Sequence, residues 1–370
     1  MKTKEKIIDF IKREIVLTVA IILAVITCFI VPPDKEYLKY FDYSTLICLF
    51  CMLAVVAGLK STNIFELISR KLINLFHTRR GVIYALVFGT FFFDMIVAND
   101  MSLITFLPLT YIVLHSTKND KYLAFTFIMQ TIAANMGGMI TPYGNPQNLY
   151  LYSYYNIGTA EFFSILLVQS ITVAILLWIC CSFIHNEPLK LRKNSKIIIN
   201  KSKLCIYLFL FVLVILSIFR VIPYWVSLII VLITIIVTDR KRFAQVDYAL
   251  IATFCVFFIF SGNIARVPAI KEFISDIVVK NTMLAGIISC QFISNVPTAI
   301  FLSKFTTNYK DLLIAVNIGS LGILISSLAS LITLKEFLKH QPRNFWKYLG
   351  MFTIFNTMFL LALLLVTKIV

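Results

Sequence analysis

Charge is scarce in this sequence. Only 14% of its 370 residues are Asp, Glu, Lys or Arg, against roughly 25% in soluble globular chains. That excludes a disordered chain, and it leaves too little polar surface to cover an ordinary soluble core. Acidic residues are scarcer still, 18 against 34 Lys plus Arg. Histidine is limited to His77, His115, His185 and His340, all at the borders of apolar runs, and no HExxH occurs. With no setting for a paired-aspartate protease either, an intramembrane enzyme loses its sequence basis. The eight cysteines all lie in apolar runs, so they read as reduced packing residues. Cys180 and Cys181 point ~100° apart on a helix, a poor thiol pair for a soft metalloid. No cleavable signal peptide is evident, because the first apolar run, 15–31, is long enough to stay in a bilayer and has no small-residue cleavage site after it.

What is abundant is hydrocarbon. Hydrophobic residues make up 59% of the chain and mean hydropathy is +0.89, so the solvent that this composition predicts is a membrane. A helix needs ~20 apolar residues to cross a ~30 Å hydrocarbon core. Runs of that kind occur near 15–31, 44–60, 121–154, 158–184, 204–221, 222–238, 248–266, 310–334 and 345–368, predicting nine crossings. Two further apolar stretches, 81–116 and 281–308, are each interrupted near the centre by a polar tip, Ala98-Asn99-Asp100 and Ser294-Asn295-Val296-Pro297, and read as re-entrant hairpins. The net charge of +16 then becomes a record of topology. With the N-terminus in the cytoplasm, all basic residues except Lys35, Lys39, Arg220, Arg266, Lys271, Lys280, Lys304, Lys310 and Lys368 fall on cytoplasmic segments, and the C-terminus lies outside. No basic stripe interleaved with aromatics occurs in a soluble segment, so nucleic acid is not an expected partner.

The same map contains a repeat. Two crossings, an amphipathic stretch (63–78), a hairpin and two more crossings form a first unit. From 222 a second unit follows the same order, with its amphipathic stretch at 268–280. The single helix 204–221 between them gives the units opposite topology. Inverted repeats of this kind, with broken helices meeting near the midplane, are the architecture of many secondary transporters. The breaks are visible as clustered Gly and polar residues. In the first unit the run is Asn135-Met136-Gly137-Gly138-Met139-Ile140-Thr141-Pro142-Tyr143-Gly144-Asn145-Pro146-Gln147-Asn148; in the second it is Asn317-Ile318-Gly319-Ser320-Leu321-Gly322, followed by Ser326-Ser327-Leu328-Ala329-Ser330. Non-helical backbone at membrane depth must be buried in protein or line a polar cavity.

These residues carry a family resemblance that covers essentially the whole chain. The Asn99-Asp100 tip, the run from Thr141 through Gly144-Asn145-Pro146-Gln147-Asn148, the Ser294-Asn295-Val296-Pro297 tip and Ser327-Leu328-Ala329-Ser330 resemble the ion transporter superfamily. More narrowly, they are similar to its citrate-transporter-like permeases, relatives of arsenite permeases and sodium-coupled dicarboxylate transporters. The resemblance implies an all-α polytopic membrane protein, an inverted-repeat, elevator-type transporter with two re-entrant hairpins and two broken transmembrane helices, assembled as a homodimer in the cell membrane. It divides the chain into scaffold helices at 1–80, a transport part at 81–184, a cytoplasmic basic linker at 185–203, a linking helix with further scaffold helices at 204–280, and a second transport part at 281–370. In the sodium-coupled dicarboxylate branch each hairpin tip reads Ser-Asn-Thr. Here both asparagines are present with different neighbours, so the match does not transfer a substrate.

The residues themselves suggest roles. Half-helix N-termini after each tip direct free N–H groups toward the midplane and favour an anion. Asn99 and Asn295 offer amide donors and acceptors; Asp100, Ser294 and Thr298 accompany them at the tips. A coupling sodium ion is expected at Asn99, Asn135 and Gly137, with Gly138 beside them, and at Asn295, Asn317 and Gly319. Thr141, Gly144, Asn145, Asn148, Ser326 and Ser327 complete the candidate set. Asp94 and Asp100 are the acids well inside apolar regions, where a carboxylate suggests function: Asp100, at the tip, is the better candidate, able to attract a cation when ionised or carry a coupling proton when protonated, whereas an ion pair or internal hydrogen bond within the hairpin accounts for Asp94 as well as a coupling role does. The expected activity is secondary transport of a small carboxylate or oxyanion coupled to sodium or protons, with no other cofactor. Sodium/proton exchange, arsenite-type export and a channel remain the alternatives.

Overall fold

A computed structural model describes residues 14–97, 99–189 and 197–369, and every long apolar run of the sequence within them is helical. The first half comprises α1 (Ile15–Ile30), α2 (Tyr43–Ser61), α3 (Ile64–Asn74), α4 (Arg79–Asp94), α5 (Asn99–Ser116), α6 (Leu123–Gly137), α7 (Pro146–Tyr154) and α8 (Thr159–Ser182). The second comprises α9 (Lys201–Ile218), α10 (Tyr224–Thr238), α11 (Tyr248–Ala265), α12 (Pro268–Lys280), α13 (Thr282–Ile293), α14 (Asn295–Leu302), α15 (Tyr309–Ile318), α16 (Leu328–His340) and α17 (Phe345–Ile369). Ala98, the first residue of one expected tip, lies outside the described residues, as do the basic residues of 1–13 and 190–196.

Local chemistry sets where these helices begin. Asp42, Thr78, Asn200, Asp247, Asn281, Asn308 and Ser327 each accept a backbone N–H of the first turn that follows, satisfying donors that apolar surroundings would leave exposed. Pro146 and Pro268 stand at first positions, where a missing N–H costs nothing. Asn281 also permits a 114° bend between amphipathic α12 and α13.

Among the described residues, six helical spans are long and apolar enough to cross a membrane: Tyr43–Ser61, Asp120–Ile140, Thr159–Ser182, Lys201–Ile218, Tyr248–Ala265 and Pro342–Ile369. Val16–Ile30 and Tyr224–Thr238 are apolar but shorter. The remaining expected crossing, 310–334, is divided between α15 and α16 by residues 319–327, and 121–154 is divided between α6 and α7 by residues 138–145. The chain is therefore an all-α, multi-pass membrane protein.

Packing interlocks the two halves. Helix α6 is buried over 89% of its span and touches α4, α5, α8, α16 and α17, whereas the Pro342–Ile369 span is buried over only 22% and forms the periphery. Each broken helix gives its second half to the other half's hairpin: α7 packs on α14, and α16 packs on α5. A buried amide knits the first hairpin to α6. Gln130 donates to Thr90 Oγ1 at 3.1 Å and accepts from Thr110 Oγ1 at 3.0 Å.

The base of the first hairpin is clamped to the segment after α8. Buried Arg79 donates to Glu187 Oε2 at 2.7 Å, Asn119 Oδ1 at 3.1 Å and His185 O at 3.1 and 3.2 Å, with its guanidinium over the Tyr122 ring. The Arg79 hydrogen bond holds the exposed Glu187 carboxyl below its ordinary value of 4.5. A depressed carboxyl stabilises the fold above that value and stops doing so as pH falls through its folded pKa. Arg79→Met, which removes the donor shared by Glu187, Asn119 and the His185 carbonyl, should lower the thermal midpoint at every pH. Glu187→Gln should cost little, because its partner carboxylate is exposed. Its difference from the unsubstituted protein should shrink below about pH 4.5 in a scanning-fluorimetry titration; a difference that grows on acidification would contradict this account of the clamp.

Candidate functional site

The two breaks meet, and the contact between them is reciprocal. Asn135, in the last turn of α6, donates across the halves to Ser327 Oγ at 3.0 Å. Asn317, in the last turn of α15, donates to Asn148 Oδ1 at 2.7 Å and accepts from Gln147 at 3.3 Å. All of these side chains are buried. Each break is thus closed by an amide from the other half.

The backbone freed by the breaks is satisfied by side chains rather than water. In the first, Asn148 donates to Met139 O at 3.0 Å and more weakly to Gly138 O and Thr141 O, both at 3.4 Å, and Asn145 donates to Asn135 O at 3.0 Å. Thr141 Oγ1 ties this segment to the first tip through Met95 O at 3.0 Å. In the second, Gln291 of α13 donates to Gly319 O and Leu321 O at 2.9 and 3.0 Å and accepts from Ile323 N at 3.1 Å. Ser326 Oγ reaches Ser320 O and Ile323 O, both at 2.7 Å. Gly322 there takes φ +112°, a left-handed backbone that favours glycine. Gly137 and Gly144 serve close backbone approach, since a Cβ would meet Phe91 O and Gly138 O respectively; a Cβ on Gly319 would meet Ala315 O and the Cys290 side chain.

The tips differ in what they leave free. Asn99 donates to Asn135 Oδ1 at 3.0 Å, and its own Oδ1 is buried without a partner. Asp94, fully buried, accepts from Ser102 Oγ at 3.0 Å through one oxygen only, and its Oδ2 is unpartnered. Asn145 Oδ1 is likewise unpartnered. A Cβ at Gly138 would fall against both Asp94 Oδ2 and Asn145 Oδ1, so these two acceptors face one small space over that glycine. At the second tip Asn295 Oδ1 accepts from Val296 N at 3.0 Å and Ser294 Oγ at 3.3 Å, and Thr298 turns back to Ser294 O at 2.8 Å. Of the expected sodium sets, Asn99, Asn135 and Gly137 lie beside unpartnered oxygens. In the other, Asn295 Oδ1, Asn317 Oδ1 and Gly319 O each already accept a protein donor.

A cavity of about 660 Å³ joins these elements. Asn99, Asp100, Gln147, Asn295 and Ser327 line its inner part, and Lys60, Arg242 and Asp247 line the end formed by α2 and the turn before α11. Four helix N-termini open onto it, those of α5, α7, α14 and α16. Asn148, Asn317, Ser326 and Gly319 do not line it; they hold the breaks in shape. Gln147 and Gln291 are the functional residues that sequence reading missed, although a glutamine inside an otherwise apolar arm was the signal for Gln291. Alanine at Asn135 or Asn317 should each cost ~1–3 kcal/mol, the range for stranding a buried partner. A double-mutant cycle of Asn135→Ala with Ser327→Ala should show coupling of ~0.5 kcal/mol or more in denaturation of the reconstituted protein; additivity would mean that the two halves are not joined there.

Comparison with known proteins gives the family. Residues 5–311 match the family model described as Citrate transporter. A Methanocaldococcus jannaschii protein named an uncharacterized transporter is 32% identical over 306 residues, 81% of this chain and 82% of that protein. The Escherichia coli inner membrane protein YbiR is 26% identical over 331 residues, 86% of each. The family match ends before the second break, so the reciprocal contact between breaks rests on the structure itself. This chain belongs to the citrate transporter family, and it is a multi-pass membrane transporter.

Proposed function

We propose that this protein is a secondary active transporter of a small anion, a carboxylate or oxyanion, driven by a coupled sodium ion or proton. The observation that carries the reading is the convergence of four helix N-termini on one cavity. Each brings the positive end of a helix dipole, an arrangement that favours an anion without a dedicated cation. Asn99, Asn295 and Ser327 add donors within reach of a bound anion. Lys60, which makes no ion pair among the described residues, adds a positive charge at the outer end. By the charge map that end faces the cytoplasm, so the protein is inward-facing, with its N-terminus inside and C-terminus outside.

The coupling cation belongs at the first hairpin. Asp94 Oδ2, Asn145 Oδ1 and Asn99 Oδ1 are hard oxygen acceptors without donors, suited to sodium or, at the carboxylate, to a proton. One such set supports one cation rather than a symmetric pair. Gly138 keeps the space between Asp94 and Asn145 open. The cavity has walls from two units: α2 with the turn before α11 on one side, both tips and both breaks on the other. That division supports the elevator reading, in which α4–α8 and α13–α17 carry the site past a scaffold of α1–α3 and α9–α12 that also forms a homodimer. A second reading, sodium/proton exchange, is favoured by Asp100 and Asp247, two carboxylates lining the same cavity.

The test is a thermal-shift screen of the purified protein against carboxylates and oxyanions, with and without sodium and across pH, because a ligand of the folded state raises its midpoint. An anion should shift the midpoint, and sodium or acid should enhance the shift. Asp94→Asn should remove that enhancement, whereas Lys60→Ala should weaken the anion about tenfold, equivalent to ~1.4 kcal/mol, and retain it. Sodium-dependent shifts with no anion effect would favour the exchanger, and an Asp94→Asn protein with unchanged sodium and pH dependence would remove the cation site.

A further inference from the structure

A second cavity, of about 640 Å³, lies beside the first hairpin and differs from the first in kind. One wall is α3 and α9, with Leu59 of α2; the other is α4, Phe106 of α5 and Trp178 of α8. Its lining is carbon almost throughout. Tyr84, the hydroxyl-bearing residue there, spends that hydroxyl on Trp178 O at 2.8 Å and Ser182 Oγ at 2.6 Å. The rim, formed by Ile68, Phe92, Ile96 and Trp178, is exposed, and the floor, formed by Leu59, Ala85 and Phe106, is buried. Apolar space of this kind is not wetted, and leaving it empty forfeits dispersion contacts along both walls.

Its position selects the occupant. The crevice opens between exposed apolar side chains of a membrane-spanning chain, and acyl chains are the solvent that such a surface meets. A flexible chain can follow the crevice to a floor set behind an aromatic rim; the rigid helix of a second copy, ~10–12 Å across with its side chains, is blunter. The adjoining basic residues indicate the headgroup. Lys71, next to the lining residue Leu72, is exposed and makes no ion pair among the described residues. Arg80, one turn before Tyr84, uses only Nε, donating to Ile184 O at 2.7 Å. Anionic lipid is attracted to such juxtamembrane cations.

We infer that this crevice binds one phospholipid, an acyl chain between α3–α9 and α4–α8 with an anionic headgroup at Lys71 and Arg80. The site lies apart from the transport cavity and does not depend on which ion that cavity carries. Native mass spectrometry of the protein in mild detergent should retain one phosphatidylglycerol per protomer. Phosphatidylglycerol should also raise the thermal midpoint more than phosphatidylcholine of the same chains, while glycerol phosphate without chains should not. Ala85→Phe, which fills the floor, should reduce retained lipid at least tenfold. Should that variant fold poorly, Ile68→Asp on the exposed rim should give the same loss. The double change Lys71→Gln, Arg80→Gln should make the two lipids equivalent. Undiminished lipid in Ala85→Phe or Ile68→Asp, equal shifts by both lipids in the unsubstituted protein, or a shift by glycerol phosphate alone would overturn the assignment.

Discussion

Two asparagines hold this molecule together at the point where its helices fail. A helix that stops inside a bilayer strands carbonyls and amides, and hydrocarbon offers them no partner. Side chains of the same half take up those groups, and Asn135 and Asn317 brace them by crossing over: Asn317 holds Asn148, whose amide donates to the freed carbonyls of the first break, and Asn135 holds Ser327, the cap of α16. Each break is therefore braced by the other half. That dependence explains why α7 and α16 are exchanged between the hairpins, and why the packed centre is α6, the helix that delivers Asn135.

The requirement propagates outward. Once the breaks are held by Asn148, Asn145, Gln291 and Ser326, the helices that resume or start beside them must do so at fixed places. Their N-termini consequently gather around one space. The cavity is a by-product of satisfying backbone groups in a medium without water, and its electrostatic character follows from helix direction more than from charged side chains. Composition and site are connected in this way: a chain so poor in charge can still present a positive potential at its cavity, because aligned peptide dipoles supply it.

Much of this was legible in the sequence. Length and periodicity placed the helices, and the Gly-rich runs at 137–144 and 319–322 marked both breaks, because few glycines elsewhere made the clusters conspicuous. What was not legible is which oxygens stay free. Asn99 and Asn295 look equivalent as tip residues, yet Asn295 turns its oxygen onto its own helix while Asn99 does not. Nor does any spacing rule predict that Asp94 and Asn145 converge over Gly138. Gln147 and Gln291 were missed for the same reason: their partners are carbonyl and amide groups of distant segments.

The unequal tips also bear on how two ions could be coupled. A buried carboxylate oxygen without a donor is costly unless a cation or proton neutralises it, and that of Asp94 sits on the hairpin whose tip lines the first cavity. On the proposed reading, an Asp94 that is ionised would oppose an anion approaching the N-terminus of α5. With a cation over Gly138, that opposition is removed and the helix dipoles act unopposed. By linkage the anion must then favour the cation to the same degree. Coupling on this view needs no long conformational relay, since it is electrostatic and local. Its strength would depend on the path between Asp94 and the cavity staying as dry as the surrounding residues make it, for water there would screen the two charges from each other.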